Sequence, residues 1–153
     1  MNNSNLFQNL FDGNTWSGTG DQNMREVTAN RDEVLIVDDD EMTRKLIHRL
    51  VERELDREVT TLGNGLEGFN YIQDHVPGLV ILDLMLPGMN GYEVLKKIRD
   101  DEQLRDVKVV LVSAKSRSDD IERGFELSAD EYITKPFQPG EFLARLRKLV
   151  AGK

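Results

Sequence analysis

Residues 80–91 read VILDLMLPGMNG, an aliphatic run that ends at Asp83 and is followed by a proline and two glycines. The aliphatic run predicts a buried strand, and the Pro87–Gly88 pair predicts a turn shortly after it. A carboxylate at the end of such a strand either caps a turn in water or takes part in chemistry at the edge of a sheet. The rest of the chain decides between these two interpretations.

Similar short runs recur along the chain and alternate with longer segments of helical periodicity. The predicted strands are VLIV at 34–37, VTTL at 59–62, LVILD at 79–83, VKVVLV at 107–112 and EYIT at 131–134. The predicted helices cover residues 41–54, 65–75, 91–100, 118–127 and 139–150. Strands that alternate with helices predict an α/β fold, here a doubly wound five-stranded parallel sheet with helices on both faces. The second and fifth runs are the least uniformly apolar, so we expect them at the edges.

Composition excludes several classes of protein. The chain has 153 residues, which fits one domain, and its net charge of −8 argues against direct binding of nucleic acid. Without cysteine it has neither disulfides nor thiolate metal sites. No apolar stretch approaches the roughly 20 residues of a membrane span, and the N-terminus has no signal-peptide pattern. We therefore predict a cytoplasmic protein with no membrane partner.

The chain divides into two regions. Residues 1–30 are rich in Asn, Ser, Thr and Gly, a composition that predicts a flexible polar tail, and residues 31–153 form the predicted folded domain. Within the tail, Leu6, Phe7, Leu10 and Phe11 have helical spacing. They would form a short apolar stripe for docking on a partner or on the domain itself, although incidental apolar residues in a disordered tail explain them more simply.

Polar residues stand at the carboxyl ends of four predicted strands. They are Asp38, Asp39 and Asp40 after the first strand, Asp83 at the third, Ser113 after the fourth and Lys135 after the fifth. Taken singly, Asp40 is an expected helix N-cap, Ser113 a turn residue and Lys135 a solvated charge. Ligands of doubly wound sheets bind at the carboxyl ends of the strands, so the coincidence favours one site.

The residue types suit phosphoryl transfer to a carboxylate. Carboxylates held close together repel one another and attract Mg²⁺, which prefers oxygen ligands. With the cation on one side and a lysine ammonium on the other, Asp83 is placed to attack a phosphorus atom in line. The hydroxyl group of Ser113 would bind a further phosphoryl oxygen.

Four segments resemble the motifs of bacterial two-component response-regulator receiver domains, which have a flavodoxin-like fold. They are VLIVDDDE at 34–41, VILDLMLPGMNG at 80–91, VVLVSAK at 109–115 and EYITKPF at 131–137. Order and spacing agree with that family over residues 32–150. The resemblance implies that Asp83 is the phosphoacceptor and that Mg²⁺ is bound by Asp38, Asp39, Asp83 and the backbone carbonyl of Met85.

The resemblance also assigns roles to the later strands. It implies that Ser113 is the switch hydroxyl, Lys135 the phosphate-binding lysine and Tyr132 the aromatic residue that changes rotamer on activation. It further implies a cis peptide bond between Lys135 and Pro136. The chain departs from the family in Ser128, where glycine is common, which puts the turn before the fifth strand in question. A serine at the switch position is also less common than a threonine.

Partners and output follow from the same resemblance. We expect a sensor histidine kinase or phosphotransfer protein upstream, and a downstream target protein or a fused output domain; the sequence leaves open whether the chain stands alone. A phosphorylation-dependent homodimer through the fourth helix, fifth strand and fifth helix is a further expectation. Candidate charges for that face are Arg123, Asp130, Glu131, Glu141, Arg145 and Arg147. The protein is not expected to be an enzyme beyond its own phosphorylation and slow dephosphorylation.

Two other hypotheses compete with the receiver domain. A small haloacid-dehalogenase-like phosphatase would use Asp38 and Asp40 with Ser113 and Lys135, but it leaves Asp83 and its loop unexplained. A receiver-like interaction module that is never phosphorylated usually lacks one of the acids or the lysine. His48 and His75 lie among charged residues of predicted helices, so we interpret them as surface histidines.

Overall fold

A computed structural model describes residues 29–151. The strands are β1 (Asn30–Val37), β2 (Glu58–Leu62), β3 (Pro77–Leu82), β4 (Lys108–Ser113) and β5 (Glu131–Thr134). The helices are α1 (Glu41–Leu55), α2 (Gly65–His75), α3 (Gly91–Asp100), α4 (Ser118–Glu126) and α5 (Pro139–Ala151). The predicted tail falls outside the described residues except at its end, where Asn30 already belongs to β1. The proposed apolar stripe at residues 6–11 lies wholly outside them.

The five strands form one sheet in the order β2-β1-β3-β4-β5, and every neighbouring pair is parallel. In the register, Val34 of β1 lies opposite Val59 of β2 and Leu79 of β3. The predicted fold class is confirmed, including the two less apolar strands at the edges. The order reverses between β1 and β3, so loops from both halves of the sheet meet at its carboxyl edge.

Helices cover both faces because alternate residues of the central strands point to opposite sides. Leu35 and Val37 face a core shared with α2, α3 and α4, whereas Val34 and Ile36 face a core shared with α1 and α5. The apolar residues of α5 lie in the second core, with Phe142 and Leu146 fully buried. Burying a large aliphatic or aromatic side chain contributes about 1.5–3 kcal/mol.

Side-chain caps start the helices close to the ends of the strands. Asp40 accepts a hydrogen bond from the backbone nitrogen of Thr43 at 3.3 Å, which confirms its prediction as the N-cap of α1. Asn90 and Glu93 form a reciprocal capping box at the start of α3. These caps satisfy backbone donors at the helix ends and keep the connecting loops short.

The loop between β3 and α3 folds back tightly on the strand. The nitrogen of Gly91 donates to the carbonyl oxygen of Leu84 at 2.9 Å. A side chain at Gly91 would place its Cβ 2.3 Å from the carbonyl oxygen of Asp83, so only glycine fits there. The loop is thereby fixed against the end of β3.

Two backbone predictions concern the approach to β5 and the loop after it. The Lys135–Pro136 peptide bond is cis, as predicted. Ser128 adopts the left-handed conformation with φ of 72°, in which a serine is less favourable than a glycine. Arg99 donates from Nε to the carbonyl oxygen of Ser128 at 2.9 Å, which helps to hold this turn. Among the described residues, no helix is both long and apolar enough to cross a membrane.

Candidate functional site

Four sequence-predicted residues meet at the carboxyl edge of the sheet. Asp38 and Asp83 each follow a central strand directly, Ser113 is the last residue of β4, and Lys135 follows β5. Backbone hydrogen bonds between neighbouring strands continue past the strand ends. The nitrogen of Asp83 donates to the carbonyl oxygen of Val37 at 2.9 Å, and the nitrogen of Lys135 donates to the carbonyl oxygen of Ser113 at 2.8 Å. The sheet itself therefore sets the spacing of the side chains.

Lys135 lies between the two buried aspartates. Its Nζ is 2.8 Å from Oδ2 of Asp38 and 3.1 Å from Oδ2 of Asp83. The carboxylate side chains are only 3% and 8% exposed, and that of Lys135 is 21% exposed. Buried carboxylates are costly unless they are paired, so the ammonium group compensates both at once.

A third carboxylate completes an acidic cluster. Carboxylate oxygens of Asp38, Asp39 and Asp83 all lie within 4.8 Å of one another. Asp39 is exposed while the other two are buried, so the cluster is open to solvent on one side. Hard oxygen donors that converge at this distance, with room for water, match the ligands of Mg²⁺.

The charges shift the pKa values of the central pair. Burial raises the pKa of Asp38, and the hydrogen bonds from Lys135 and from the Asp40 backbone offset this only in part. Burial also acts on Lys135 and lowers its pKa, but the hydrogen bond to Asp38 and the negative charge of Asp83 outweigh it and leave the pKa raised. Lys135 is therefore a cation at neutral pH.

Backbone groups orient the carboxylates. The nitrogen of Asp40 donates to Oδ1 of Asp38 at 2.9 Å, and the nitrogen of Met85 donates to Oδ1 of Asp83 at 3.2 Å. Each buried aspartate thus has one oxygen bound to backbone and the other to Lys135. The carbonyl of Met85 as a metal ligand stays a prediction. Sequence reasoning missed Arg44, whose Nη1 donates to the carbonyl of Asp38 at 2.7 Å, because no local pattern relates a helix arginine to a strand end.

The backbone of Lys115 connects Ser113 to an aromatic residue. Ser113 is fully buried, and its Oγ accepts a hydrogen bond from the nitrogen of Lys115 at 3.2 Å. The hydroxyl of Tyr132 donates to the carbonyl oxygen of the same Lys115 at 2.6 Å, with the ring 4% exposed. Burial raises the pKa of Tyr132 to about 12, and nearby Tyr92 and Asp120 add to the rise. Tyr132 is thus in an inward position in this structure.

A groove of about 400 Å³ lies beside Tyr132, between α4 and α5. Its walls include Phe125, 47% exposed, and Phe137. Arg145 also lines the groove, and its guanidinium lies 2.9 Å from Glu141 and 3.3 Å from Glu131. These three predicted interface charges therefore line one concave surface.

The other three candidate charges have different partners. Arg123 lies over the ring of Tyr92 with its Cζ 4.2 Å from the centroid. Asp130 pairs with Arg99 at 2.9 Å, and Arg147 pairs with Glu54 of α1 at 3.3 Å.

The two histidines take surface contacts. His48 lies 3.7 Å from Glu52 on the same helix face. His75 is exposed and stacks on Tyr71 at 3.9 Å. This placement agrees with their interpretation as surface residues.

Comparison with known families decides the identity of the domain. The model of the response regulator receiver domain family matches residues 34–147. The chain belongs to this family. The acidic cluster and Lys135 of the receiver domain both lie within the matched residues.

Curated relatives extend this result. The receiver domain is 35% identical over 118 residues to the response regulator Rre1 of Synechocystis sp., covering 77% of this chain and 51% of Rre1. It is 38% identical over 117 residues to the DNA-binding response regulator MtrA of Mycobacterium tuberculosis, covering 76% of this chain and 50% of MtrA. The chain therefore spans about half the length of the curated relatives it matches.

A solved structure gives the same fold. The response regulator receiver domain protein (CheY-like) from Methanospirillum hungatei superimposes with a TM-score of 0.73 at 26% identity, covering 80% of this chain and 96% of that one. MtrA is a DNA-binding response regulator, which conflicts in part with the prediction that nucleic acid is not a direct partner of this chain. That prediction rests only on the charge of −8 of the chain itself.

The phosphatase alternative finds little support in the geometry. It requires Asp38 and Asp40 to act together, but Asp40 caps α1 and receives hydrogen bonds from Thr43. The third carboxylate near Asp38 and Asp39 is instead Asp83.

Proposed function

We propose that the receiver domain accepts a phosphoryl group on Asp83 from the phosphohistidine of a sensor kinase or phosphotransfer protein, in a reaction that depends on Mg²⁺. The observation that carries the proposal is the position of Lys135, within 3.1 Å of both buried aspartates in a cluster of three carboxylates. Membership of the response regulator receiver family supports it.

The transfer is a single displacement at phosphorus. A carboxylate oxygen of Asp83 forms a bond to phosphorus while the phosphorus–nitrogen bond of phosphohistidine breaks, and the imidazole leaves with the electron pair. The attacking group is the carboxylate of Asp83, and the ammonium of Lys135 lies 3.1 Å from its Oδ2. During the transfer, negative charge builds up on the phosphoryl oxygens. The ammonium group of Lys135 can move a short distance from the carboxylate of Asp83 to stabilise that charge.

Asp38, Asp39, Asp83 and the carbonyl of Met85 would hold Mg²⁺. When bound, the ion neutralises the charge of the phosphoryl oxygens and orients the group for in-line attack. Lys135 already occupies one oxygen each of Asp38 and Asp83, so the lysine and the metal share these carboxylates. The exposed side of the cluster at Asp39 leaves room for retained waters.

Ser113 and Tyr132 carry the signal away from the acceptor. The Ser113 hydroxyl turns to a phosphoryl oxygen and gives up the hydrogen bond that it accepts from Lys115. The backbone of Lys115 then moves with it, and its carbonyl holds the hydroxyl of Tyr132. The groove beside Tyr132 is the surface that a downstream target or a second copy of the chain recognises.

The remaining expectations belong to the same proposal. The domain acts on no other substrate and catalyses only its own phosphorylation and slow dephosphorylation. It works in the cytoplasm, where a kinase can reach it, and does not itself bind nucleic acid. A downstream protein or an output domain in the same polypeptide supplies the response.

Loading with beryllofluoride and Mg²⁺ tests the proposal, together with intact-mass analysis after incubation with a small acyl phosphate. Wild type should load and gain one phosphoryl group, whereas Asp83→Asn should do neither. Asp106→Asn is the matched control, because Asp106 is exposed in the turn before β4, at the opposite edge of the sheet. A phosphoryl group found on Asp38 would support the hypothesis of a haloacid-dehalogenase-like phosphatase. Failure of the wild-type protein to load at all would indicate an interaction module.

A further inference from the structure

Helix α4 contributes little of its own to the core. Of its nine residues, only Gly124 is buried. Its N-cap, Arg117, makes no capping hydrogen bond through its side chain, and Phe125 is largely exposed. A short helix with so little buried surface depends on contacts from neighbouring elements to fix its position.

Tyr92 of α3 supplies two of these contacts. Its hydroxyl donates to the carbonyl oxygen of Asp120, in the first turn of α4, at 2.9 Å. The guanidinium of Arg123, one turn later, lies over the Tyr92 ring at 4.2 Å, a distance that suits a cation–π interaction. Tyr92 is buried, so water competes weakly for the hydroxyl.

Tyr92 is also fixed to the loop that carries the phosphoacceptor. It follows Gly91, whose nitrogen bonds to Leu84 and whose Cα faces the carbonyl of Asp83 too closely for any side chain. The capping box at Asn90 locks the first turn of α3 in the same place. The backbone that carries Tyr92 is therefore packed directly against the acceptor loop.

We infer that Tyr92 is a positioning residue that couples the phosphoacceptor loop to α4. The hydrogen bonds of Ser113 and Tyr132 reach the backbone of Lys115, before α4 begins, whereas Tyr92 bonds to α4 itself. It rests on the proposed function, because a phosphoryl group on Asp83 is what would shift the loop. The two tyrosines bond to successive parts of the chain: Tyr132 to the loop that leads into α4, and Tyr92 to the first turn of the helix.

Hydrogen exchange in the full chain tests the contact. Tyr92→Phe removes only the hydroxyl, so exchange at the amides of Ile121 in α4 and of Leu127, its C-cap, should rise about five- to tenfold, as expected for one lost hydrogen bond. Tyr71→Phe is the matched control. It removes a half-buried hydroxyl that donates to Glu33, and should leave the relative exchange of α4 unchanged. Urea unfolding of both variants separates local from global loss of stability.

Beryllofluoride tests the coupling. Loading should change the exchange of α4 in wild type, and Tyr92→Phe and Arg123→Gln should each reduce that change by at least about half while still loading. The inference is overturned if loading leaves α4 of wild type unchanged, or if Tyr92→Phe matches wild type with and without beryllofluoride. If wild type does not load, the proposed function fails, and exchange in the unloaded variants still decides whether Tyr92 holds α4.

Discussion

The hydroxyl of Tyr132 donates to the backbone carbonyl of Lys115 across 2.6 Å. This bond joins the edge strand β5 to the loop after β4. Tyr132 is almost completely buried there. Gly124 makes the position accessible, because a Cβ there would lie 3.0 Å from the Tyr132 ring and 2.9 Å from Leu111. The inward position of Tyr132 is therefore set by a glycine on the facing helix as much as by the tyrosine.

The tyrosines should ionise late as the pH rises. The pKa of Tyr132 is about 12, and burial also raises those of Tyr71 and Tyr92, so none of the chain's three tyrosines titrates normally in the folded state. Because the folded state favours the protonated phenol, the stability from Tyr132 is fully present below pH ~10 and is lost as pH rises through about 12.

Near-ultraviolet absorbance of tyrosinate measures this directly. Native protein should ionise well above the midpoint seen in urea, and Tyr132→Phe should remove the latest step. Urea unfolding should show that the stability difference between wild type and Tyr132→Phe shrinks across the same alkaline range. Tyrosine titration near pH 10 in the native protein would contradict the burial of all three phenols.

Replacing Lys135 with glutamine should separate metal binding from phosphoryl binding. Without its ammonium, Asp38 and Asp83 lose their counterion, so Mg²⁺ affinity should stay the same or rise. Beryllofluoride affinity should fall at least about tenfold, because a charge-assisted hydrogen bond is lost. Titration calorimetry measures the metal, and fluorine NMR measures loading. Lys108→Gln, at the opposite edge of the sheet, should change neither the Mg²⁺ affinity nor the beryllofluoride affinity. If Lys135→Gln loses both affinities together, Lys135 does not act on the phosphoryl group alone.

The sheet and most of the acidic site were predictable because both depend on local signals. Aliphatic runs marked the strands, and Asp38, Asp83 and Ser113 stand directly at strand ends, where chain position fixes spatial position. Contacts between side chains on different helices carry no such signal. The pairing of Arg147 with Glu54 and the position of Arg123 over Tyr92 depend on how α5 and α4 pack. Three of the six candidate interface charges were therefore found with other partners.

Buried polar residues far from the site also escaped prediction. Glu33 is buried near the start of β1 and accepts hydrogen bonds from Tyr71 and Thr60. In the sequence, Glu33 is a charged residue directly before the apolar run of β1, a position that indicates an exposed side chain. Only the approach of α2 to the sheet reveals that its carboxylate is paired.

The acyl phosphate on Asp83 should be long-lived. Met85 is 60% exposed beside the acceptor and Lys115 lies beyond Ser113, and neither side chain is a general base at neutral pH. Lys115→Glu, which provides a carboxylate to orient water, should shorten the lifetime about tenfold. Acid-quenched time courses of the phosphorylated protein measure the decay. Lys108→Glu makes the same charge change remotely and should leave it unaltered; a wild-type half-life of seconds would contradict the expectation.

Phosphorylation should promote a dimer through the groove between α4 and α5. Exposed ion pairs contribute only about 0–1 kcal/mol each. The apolar residues that line the groove, such as Phe125, must therefore supply most of the free energy of association. Light scattering should show a larger mass with beryllofluoride for wild type and a monomer for Arg145→Glu, which reverses the charge facing Glu131 and Glu141. Arg147→Glu, paired instead with Glu54 of α1, is the control and should still dimerise.

Two results would count against this dimer. A wild-type mass that does not change on loading rejects association itself. Dimerisation of loaded Arg145→Glu rejects this particular surface, because the reversed charge lies within the groove.

The site draws its charges from widely separated parts of the chain: Lys135 lies 97 positions after Asp38 and 52 after Asp83. During synthesis on a ribosome, the acceptor carboxylate leaves the exit tunnel well before the lysine that balances it. A nascent chain that ends before β5 contains all three acids but not Lys135. The pairing of both buried aspartates with one ammonium group therefore exists only once β5 has joined the sheet.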